Sequence, residues 1–584
     1  MRSRLDTAEA WTRDVGPDDR DTARALPRVA PPGIGVEVDD LHRQVRGRHG
    51  QRVTLLDAVS FTLSPGELVA IVGPSGAGKT TVLEAIAGIT PPTSGTVRFD
   101  GIDLYEHPAR FRSVLGYVPQ DDIVHTELPL QRMLRYAARL RLPSATGSAE
   151  VDAAVGGALD AVGLAGHANV RVGSLSGGQR KRASIAVELL TDPRVFFLDE
   201  PTSGLDPVTS AELVDHLRCL ADQSATVVFT THSAEDLAVC DRVVFMARGG
   251  RVGFVGTIDD ALEHFGVRSV PELYHCLAGS DCATFTGGTG IAPAREAGPG
   301  DFAMRPVASG LTQWGVLTRR TFETLLRNRL TLAILLGSPA LVIAMFAILF
   351  RPGAFDPRHP SPSSMVMVGF WIVFAAFFFG LTYGLLQICT ERTILQRERV
   401  VGLRLGAYVA SKVTVLAPFL LLVVGAMLAV LRVLDRLPGR STSTYASIGV
   451  SLFLCAIAAL GLGLLASAAV GTVTQATLAL PMLCFPAVLF SGAILPVHLM
   501  ARAGAALSAV IPTRWAFEAI GHDLGAKRIL ATGHSPLGPP LLASYGDAGA
   551  HSSGMYWTIL ATFAIVFLVA TWRLLVRSTS RSIR

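Results

Sequence analysis

Cysteine is scarce in this sequence: seven among 584 residues, with no CxxC pair. No disulfide framework is built from so few, and free buried thiols in a reducing compartment are expected. Cys389, Cys455 and Cys484 fall inside apolar runs, while Cys219, Cys240, Cys276 and Cys282 lie in the first half. The N-terminal stretch MRSRLDTAEAWTRDVGPDDRDTARALPRVAPPG lacks an apolar core, so a secretory signal is not expected there. Its charge and proline content read as a disordered tail over residues 1–33. Charge is thin as well, at 17% of residues, and none lies inside six long apolar runs of the second half. That absence disfavours a site for ions or strongly charged solutes within them.

Half of the residues are hydrophobic, and the mean hydropathy of +0.42 is high for a soluble protein. The length exceeds what one core supports, so two or more domains are expected. Charge divides the chain. Residues from 308 onward hold 22 Lys/Arg and 8 Asp/Glu, leaving 30 basic and 39 acidic residues before them. The acidic first part argues against nucleic acid as the main partner. The second part places its arginines between apolar runs, as membrane proteins do.

Residues 34–280 alternate strand-length apolar runs with helical patterns. ELVAIVG, RVFFLDE and ATVVFTTH read as buried parallel strands of an α/β domain. Residues 281–307 read as a linker. Over 308–584 an all-α membrane domain is expected, with six spans near 330–350, 365–390, 413–431, 445–470, 476–497 and 555–572. An even number of spans puts both ends on one side. The N-terminus, the first domain and the C-terminus are expected in the cytoplasm, at a plasma membrane. Arg392, Arg397, Arg399, Arg404 and Lys412 between spans two and three fit that orientation, as do Arg573, Arg577, Arg581 and Arg584. Arg432, Arg436 and Arg440 fall in an outer loop and go against it.

Two glycine-rich loops carry the chemistry. GPSGAGKT, Gly73 to Thr80, matches GxxxxGK[ST] between a strand and a helix. Gly73, Ser75, Gly76 and Gly78 let backbone N–H groups curl around phosphate at a helix start, with Thr81 following. Lys79 supplies a cation to the β- and γ-phosphates, and Thr80 a hydroxyl to Mg²⁺. Downstream, VFFLDE ends an apolar strand in two carboxylates. Asp199 suits Mg²⁺, and Glu200 suits polarisation of an attacking water. Gln120 in GYVPQDD suits both metal and water, and His232 after VFTT suits a γ-phosphate contact.

The second loop, LSGGQ, starts with Ser176, a good helix N-cap, followed by Gly177, Gly178 and Gln179. This is another anion site at a helix start. One nucleotide needs one cradle, so the second suggests ATP held by another copy of the chain.

The order of these motifs, continued by SGLD ending at Asp206, resembles the ATP-binding cassette family. The resemblance implies that ATP is sandwiched between two cassettes, whose closure moves attached membrane domains. Cassette first and six spans second is similar to the G subfamily of half-transporters, as are LSGGQRKRASIAVELLTDPRVFFLDEPTSGLDP, ERTILQRER, FSGAILP and PTRWAFEA. The resemblance implies a homodimer, a connecting helix at 311–329, a 391–412 loop that receives the cassette's motion, and short re-entrant helices within 498–554.

Two departures stand out. The family stacks adenine on an aromatic residue about 30 positions before the phosphate loop. Here DLHRQVRGRHG has none, which leaves His42 or Arg43 as the contact. The family's gating leucine pair aligns with Ala493 and Ile494. In span two, Phe370, Phe374 and Phe377, with Trp371, Phe378 and Tyr383, are expected either to pack between helices or to wall a cavity for a flat apolar or amphipathic cargo, lipid or drug-like. Export of such a cargo is the leading expectation. The alternative is a membrane ATPase that passes force to a partner protein without moving cargo. The outer segment of about 57 residues is modest for that role.

Overall fold

The computed structural model describes residues 33–278 and 308–583, apart from 47–50, 112–113, 122, 354, 356–360, 438–440 and most of 528–550. The tail expected at 1–33, save its last residue, the linker expected at 281–307, and Arg440 lie outside the described residues.

The first domain is built on two sheets. Strands β1 (Val36–Arg46), β2 (Arg52–Leu63), β4 (Ser94–Phe99) and β5 (Ile102–Asp103) form an antiparallel sheet in the order β2-β1-β4-β5. Strands β3 (Leu68–Val72), β6 (Leu115–Val118), β7 (Val195–Leu198), β8 (Thr226–Thr230), β9 (Arg242–Ala247) and β10 (Arg251–Gly256) form the second, in the order β10-β9-β3-β8-β7-β6. The three apolar runs read from the sequence are β3, β7 and β8, every residue of them buried. They pair parallel as β3–β8 and β7–β8. Runs buried on both faces have no alternation, which is why they read as continuous apolar stretches. The α/β expectation holds.

The second domain is helical. The connecting helix Gly310–Arg327 leads to apolar helices Arg329–Leu349, Pro362–Leu385, Leu405–Val433, Thr442–Ala469, Val473–Leu489 and Ser553–Ile583. Among the described residues, five apolar helices are long enough to cross a membrane. The fifth run departs from the expected 476–497. Its helix has 17 residues and ends at Leu489. Pro481 and Pro486 lie inside it, and Gly492 at φ 77° turns the chain out of helical geometry before Pro496. Span two also stops early, at Leu385 rather than 390. Of the pair aligned with the family's gate, Ala493 is buried and Ile494 exposed. Two short helices, Arg502–Ala509 and Pro512–Asp523, occupy the segment after the fifth apolar helix.

The second and fourth apolar helices pack backbone to backbone. A Cβ on Gly380 would lie 2.1 Å from the carbonyl oxygen of Ala456, and one on Gly463 2.4 Å from that of Leu381. Small residues at such crossings let helices approach without a hydrophobic drive from lipid.

The helix Arg392–Val400, hereafter the coupling helix, meets the cassette through buried charge. Arg397 is driven into the cassette. Its Nε and Nη1 donate to Glu188 Oε1 at 2.7 Å and Ile123 O at 2.8 Å, and its Nη2 to Ser184 O at 2.8 Å. Glu188 also takes a bidentate pair from Arg141, at 2.7 and 2.8 Å. All three side chains are buried. Burial alone would raise the Glu188 carboxyl, but the two guanidinium charges outweigh it and hold it at about 2. Beside this triad, Arg320 of the connecting helix pairs with Glu398, and Lys412 with Glu391.

His125 is buried at the same joint, with Nε2 bonded to nothing among the described residues. Burial, with Arg320 nearby, pushes its imidazole down to about 4. A depressed histidine pKa means the unfolded chain binds the proton first, so stability falls as pH drops from about 6.5 to about 4. A shift of that size corresponds to about 3 kcal/mol when complete. His125→Met should therefore flatten the decline in apparent melting temperature between pH 7 and 5. An unchanged slope would place the acid sensitivity in another group.

Candidate functional site

The phosphate loop emerges from β3 and ends where Gly78, at φ 91°, opens the helix Lys79–Ile86. Gly73 is required sterically, since a Cβ there would lie 2.3 Å from Met246 O. Gly76, at φ 80°, has nothing within 4 Å of where a Cβ would be, so its backbone faces open space beside exposed Ser75. Lys79 Nζ is held over the loop by the carbonyls of Gly73 at 2.9 Å and Pro74 at 3.4 Å. Thr81 follows in the first turn.

β7 delivers the two carboxylates to this loop. Thr80 Oγ1 donates to Asp199 Oδ1 at 3.1 Å, and so does Thr230 Oγ1, from the end of β8, at 2.7 Å. The same Thr230 hydroxyl accepts from the Glu200 backbone N–H at 2.7 Å. Glu200 sits at φ 42°, a left-handed conformation that costs a non-glycine residue about 1–3 kcal/mol and clusters at functional sites. Thr230 thus ties both carboxylate positions to the neighbouring strand. A hydroxyl at the end of a buried strand run is the signal the sequence carries for this role. Gln120 Nε2 donates to Glu200 Oε2 at 2.9 Å, which closes the group. His232 stands exposed two residues beyond β8.

The LSGGQ segment opens the helix Gly177–Leu189. Ser176 Oγ accepts from Gln179 N at 3.2 Å, and the Gln179 side chain accepts from Ser176 N at 3.0 Å. This reciprocal box leaves Ser176 and Gly177 exposed at a helix start. Among the described residues, no hydrogen bond joins this segment to the phosphate loop of its own chain. Lys181, one turn further on, donates to Gln120 O at 2.7 Å, and Glu188 near the helix end binds Arg397. One helix therefore carries the exposed loop, the Gln120 segment and the joint with the membrane domain. Asp206 N-caps the next helix by accepting from Thr209 N at 3.0 Å.

Two expected contacts are placed elsewhere. Arg43 Nη1 donates to Pro91 O, beyond the far end of the helix that Lys79 opens, so its guanidinium is not brought to the phosphate loop. Its partner on the strand, His42, is bonded to Asp40 and Ala58 N instead. In span two, Phe370 and Phe377 are buried within the protomer by packing against neighbouring helices, which corrects their reading as cavity wall. Phe374 remains half-buried on a stripe with Trp371 and Phe378, at centroid distances of 5.9 and 6.1 Å.

Residues 56–203 match the ABC transporter family, and residues 312–521 the ABC-2 type transporter family. The chain is 34% identical over 481 residues to "ABC transporter ATP-binding/permease protein Rv1747" of Mycobacterium tuberculosis, covering 80% of this chain and 55% of that protein. It is 30% identical over 397 residues to "ABC transporter G family member 4" of Arabidopsis thaliana, covering 63% and 66%. Over the cassette it is 37% identical across 221 residues to the "Broad substrate specificity ATP-binding cassette transporter ABCG2" of Bos taurus, covering 36% of this chain and 33% of that one. The chain spans about half the length of the first of these relatives. With a nucleotide-binding cassette leading into an ABC-2 type membrane domain, and relatives that share this order, the chain belongs to the ATP-binding cassette transporter family, in its G-like half-transporter form.

Proposed function

We propose that two copies of this chain form an ATP-driven exporter of an apolar or amphipathic substrate, lipid or drug-like, in a plasma membrane with the cassettes on the cytoplasmic side. The observation that carries the reading is the pairing of a complete phosphate loop with an exposed, capped LSGGQ helix that makes no bond to it. ATP is held by Gly73, Ser75, Gly76, Gly78, Lys79, Thr80 and Thr81 of one copy. Ser176, Gly177, Gly178 and Gln179 of the other complete the site from the far side, with Asp206 at the same interface.

Thr80 and Asp199 oxygens meet at 3.1 Å beside the phosphate loop, the hard-oxygen pair a Mg²⁺ takes alongside phosphate, and Gln120 adds an amide oxygen. Thr80, Asp199 and Gln120 would hold a Mg²⁺ there, which would supply charge neutralisation to the phosphates. Glu200 accepts the proton of the attacking water, and His232 contacts the γ-phosphate. Gln120, bonded to Glu200 and carried by the segment that meets the coupling helix, links that chemistry to the membrane domain.

The half-exposed Trp371–Phe374–Phe378 stripe, together with the exposed Leu478, Met482 and Phe485 of the fifth helix, supports an apolar path between the two copies. Bilayer lipid or a flat amphipathic compound suits such a wall.

The test is ATPase activity of the full chain in nanodiscs, with a panel of lipids and amphipathic compounds. Wild type should hydrolyse ATP and respond to one compound class. Glu200→Gln should bind ATP and lose turnover by at least about a hundredfold. Hydrolysis that no compound alters, and that drives no uptake into inverted vesicles, would overturn the exporter reading. Thr230→Val should lower kcat about tenfold with ATP binding retained, because the Asp199 carboxylate and the Glu200 backbone N–H each lose a positioning bond, and Thr230→Ser should restore it. Equal loss in the Ser variant would assign Thr230 to strand packing instead.

A further inference from the structure

Behind the phosphate-loop helix lies a cavity of about 430 Å³ that the nucleotide chemistry does not use. One wall belongs to the cassette and includes Glu84, Tyr105 and Tyr117. The facing wall is the coupling helix, with Thr393, Gln396 and Val400. Its volume is in the range of small-molecule sites, and its walls are mainly apolar and aromatic, with a few polar groups.

Thr393 and Gln396 are exposed on the helix, and the half-buried Tyr117 hydroxyl takes part in no hydrogen bond among the described residues. Glu84 accepts one bond, from Thr90 Oγ1 at 3.0 Å, and forms no ion pair. Burial raises its carboxyl, with the charge of Asp199 adding to the rise and the Thr90 bond and the Arg43 charge opposing it. The cations in the wall are engaged elsewhere: Arg397 with Glu188, and Arg399 Nη1 with Leu575 O at 3.3 Å. Of the two acids in the lining, Glu188 is paired with arginine, and Glu84 stands without an ion-pair partner among the described residues, amid aromatic and apolar surfaces.

We propose that this cavity binds a flat, amphipathic organic cation, its aromatic body lodged between cassette and coupling helix and its ammonium on Glu84. The site is separate from the path between copies, since its walls come from the cassette and the coupling helix of one chain. An occupant fixes the spacing of those two walls and so acts on coupling. That consequence rests on the exporter reading, whereas the binding itself does not.

The probe is 9-aminoacridine, protonated at pH 7.5, compared with acridine, which has the same flat body and is neutral. Fluorescence titration uses the full chain in nanodiscs without nucleotide, with empty nanodiscs subtracted. Wild type should bind the cation at least about tenfold more tightly than the neutral ring. Glu84→Gln, nearly isosteric, should bring the two within about threefold. Val400→Trp should weaken both by filling the space. Trp371→Ala, in the membrane domain, should leave the cation preference intact. A preference that survives Glu84→Gln, or that is lost in Trp371→Ala, would overturn the proposal, as would the absence of saturable binding above empty nanodiscs. Should Val400→Trp fail to fold, Glu84→Gln and Trp371→Ala decide the matter between them.

Discussion

A covalently joined dimer carrying Lys79→Ala in one half and Ser176→Arg in the other should keep hydrolysing ATP. The same two substitutions placed together in one half should bring it to background. If each site takes its phosphate loop from one copy and its LSGGQ helix from the other, dividing the mutations spoils one site twice and spares the second. Placing both in one half spoils each site once. The divided dimer should retain at least about a tenth of wild-type activity, and the undivided one should fall about a hundredfold or more, the scale of losing a preorganised phosphate contact. If each chain completed its own site, the results would exchange places. The exposed Ser176–Gly177 helix start, with no bond to its own phosphate loop, is the reason for expecting the first outcome.

The second large effect concerns the buried triad. Arg397→Met keeps the bulk of the side chain and removes its bonds to Glu188, Ile123 and Ser184. Glu188 keeps its bidentate partner Arg141, so the cassette stays folded and ATP turnover persists. Transport and its stimulation by substrate should fall by about tenfold or more, because the helix bearing LSGGQ no longer grips the membrane domain. Glu188→Gln should behave differently. It leaves two buried guanidinium groups without their carboxylate, a break that costs about 3–5 kcal/mol. Loss of folded protein, with both activities falling together, is the expected result. Transport by Arg397→Met at the wild-type level would show that motion passes elsewhere, for instance through the Arg320–Glu398 pair. The triad itself should withstand acid. A carboxyl held at about 2 contributes stability that is present above its ordinary value near 4.5 and is lost only as pH falls through about 2. Acid sensitivity nearer neutrality belongs to His125.

The nucleotide motifs were legible because they are local. A phosphate loop is one strand, one turn and one helix start, and its glycines and lysine must be adjacent in sequence to do their work. The buried strands and the apolar helices were legible for a related reason. Burial on both faces, or immersion in lipid, writes unbroken apolar runs whatever the partners are. The amino-acid sequence by itself therefore determined the α/β cassette, the membrane helices and most of the chemistry around Lys79, Asp199 and Glu200.

What the tertiary structure alone decided are the contacts between distant segments. Nothing in ERTILQRER distinguishes Arg397, which is buried against Glu188 more than two hundred residues away, from its neighbour Arg399, which donates to Leu575 O of the last helix. Span two holds seven aromatic side chains, and only packing against the neighbouring helices separated buried Phe370, Phe377, Phe379 and Tyr383 from the half-exposed Trp371, Phe374 and Phe378. The fifth apolar run had the composition of a span, yet its prolines and the turn at Gly492 ended the helix at Leu489. Hydropathy measures what a segment dissolves in. The partner that meets a buried charge, and the face a ring presents, depend on chain segments that the local sequence does not contain.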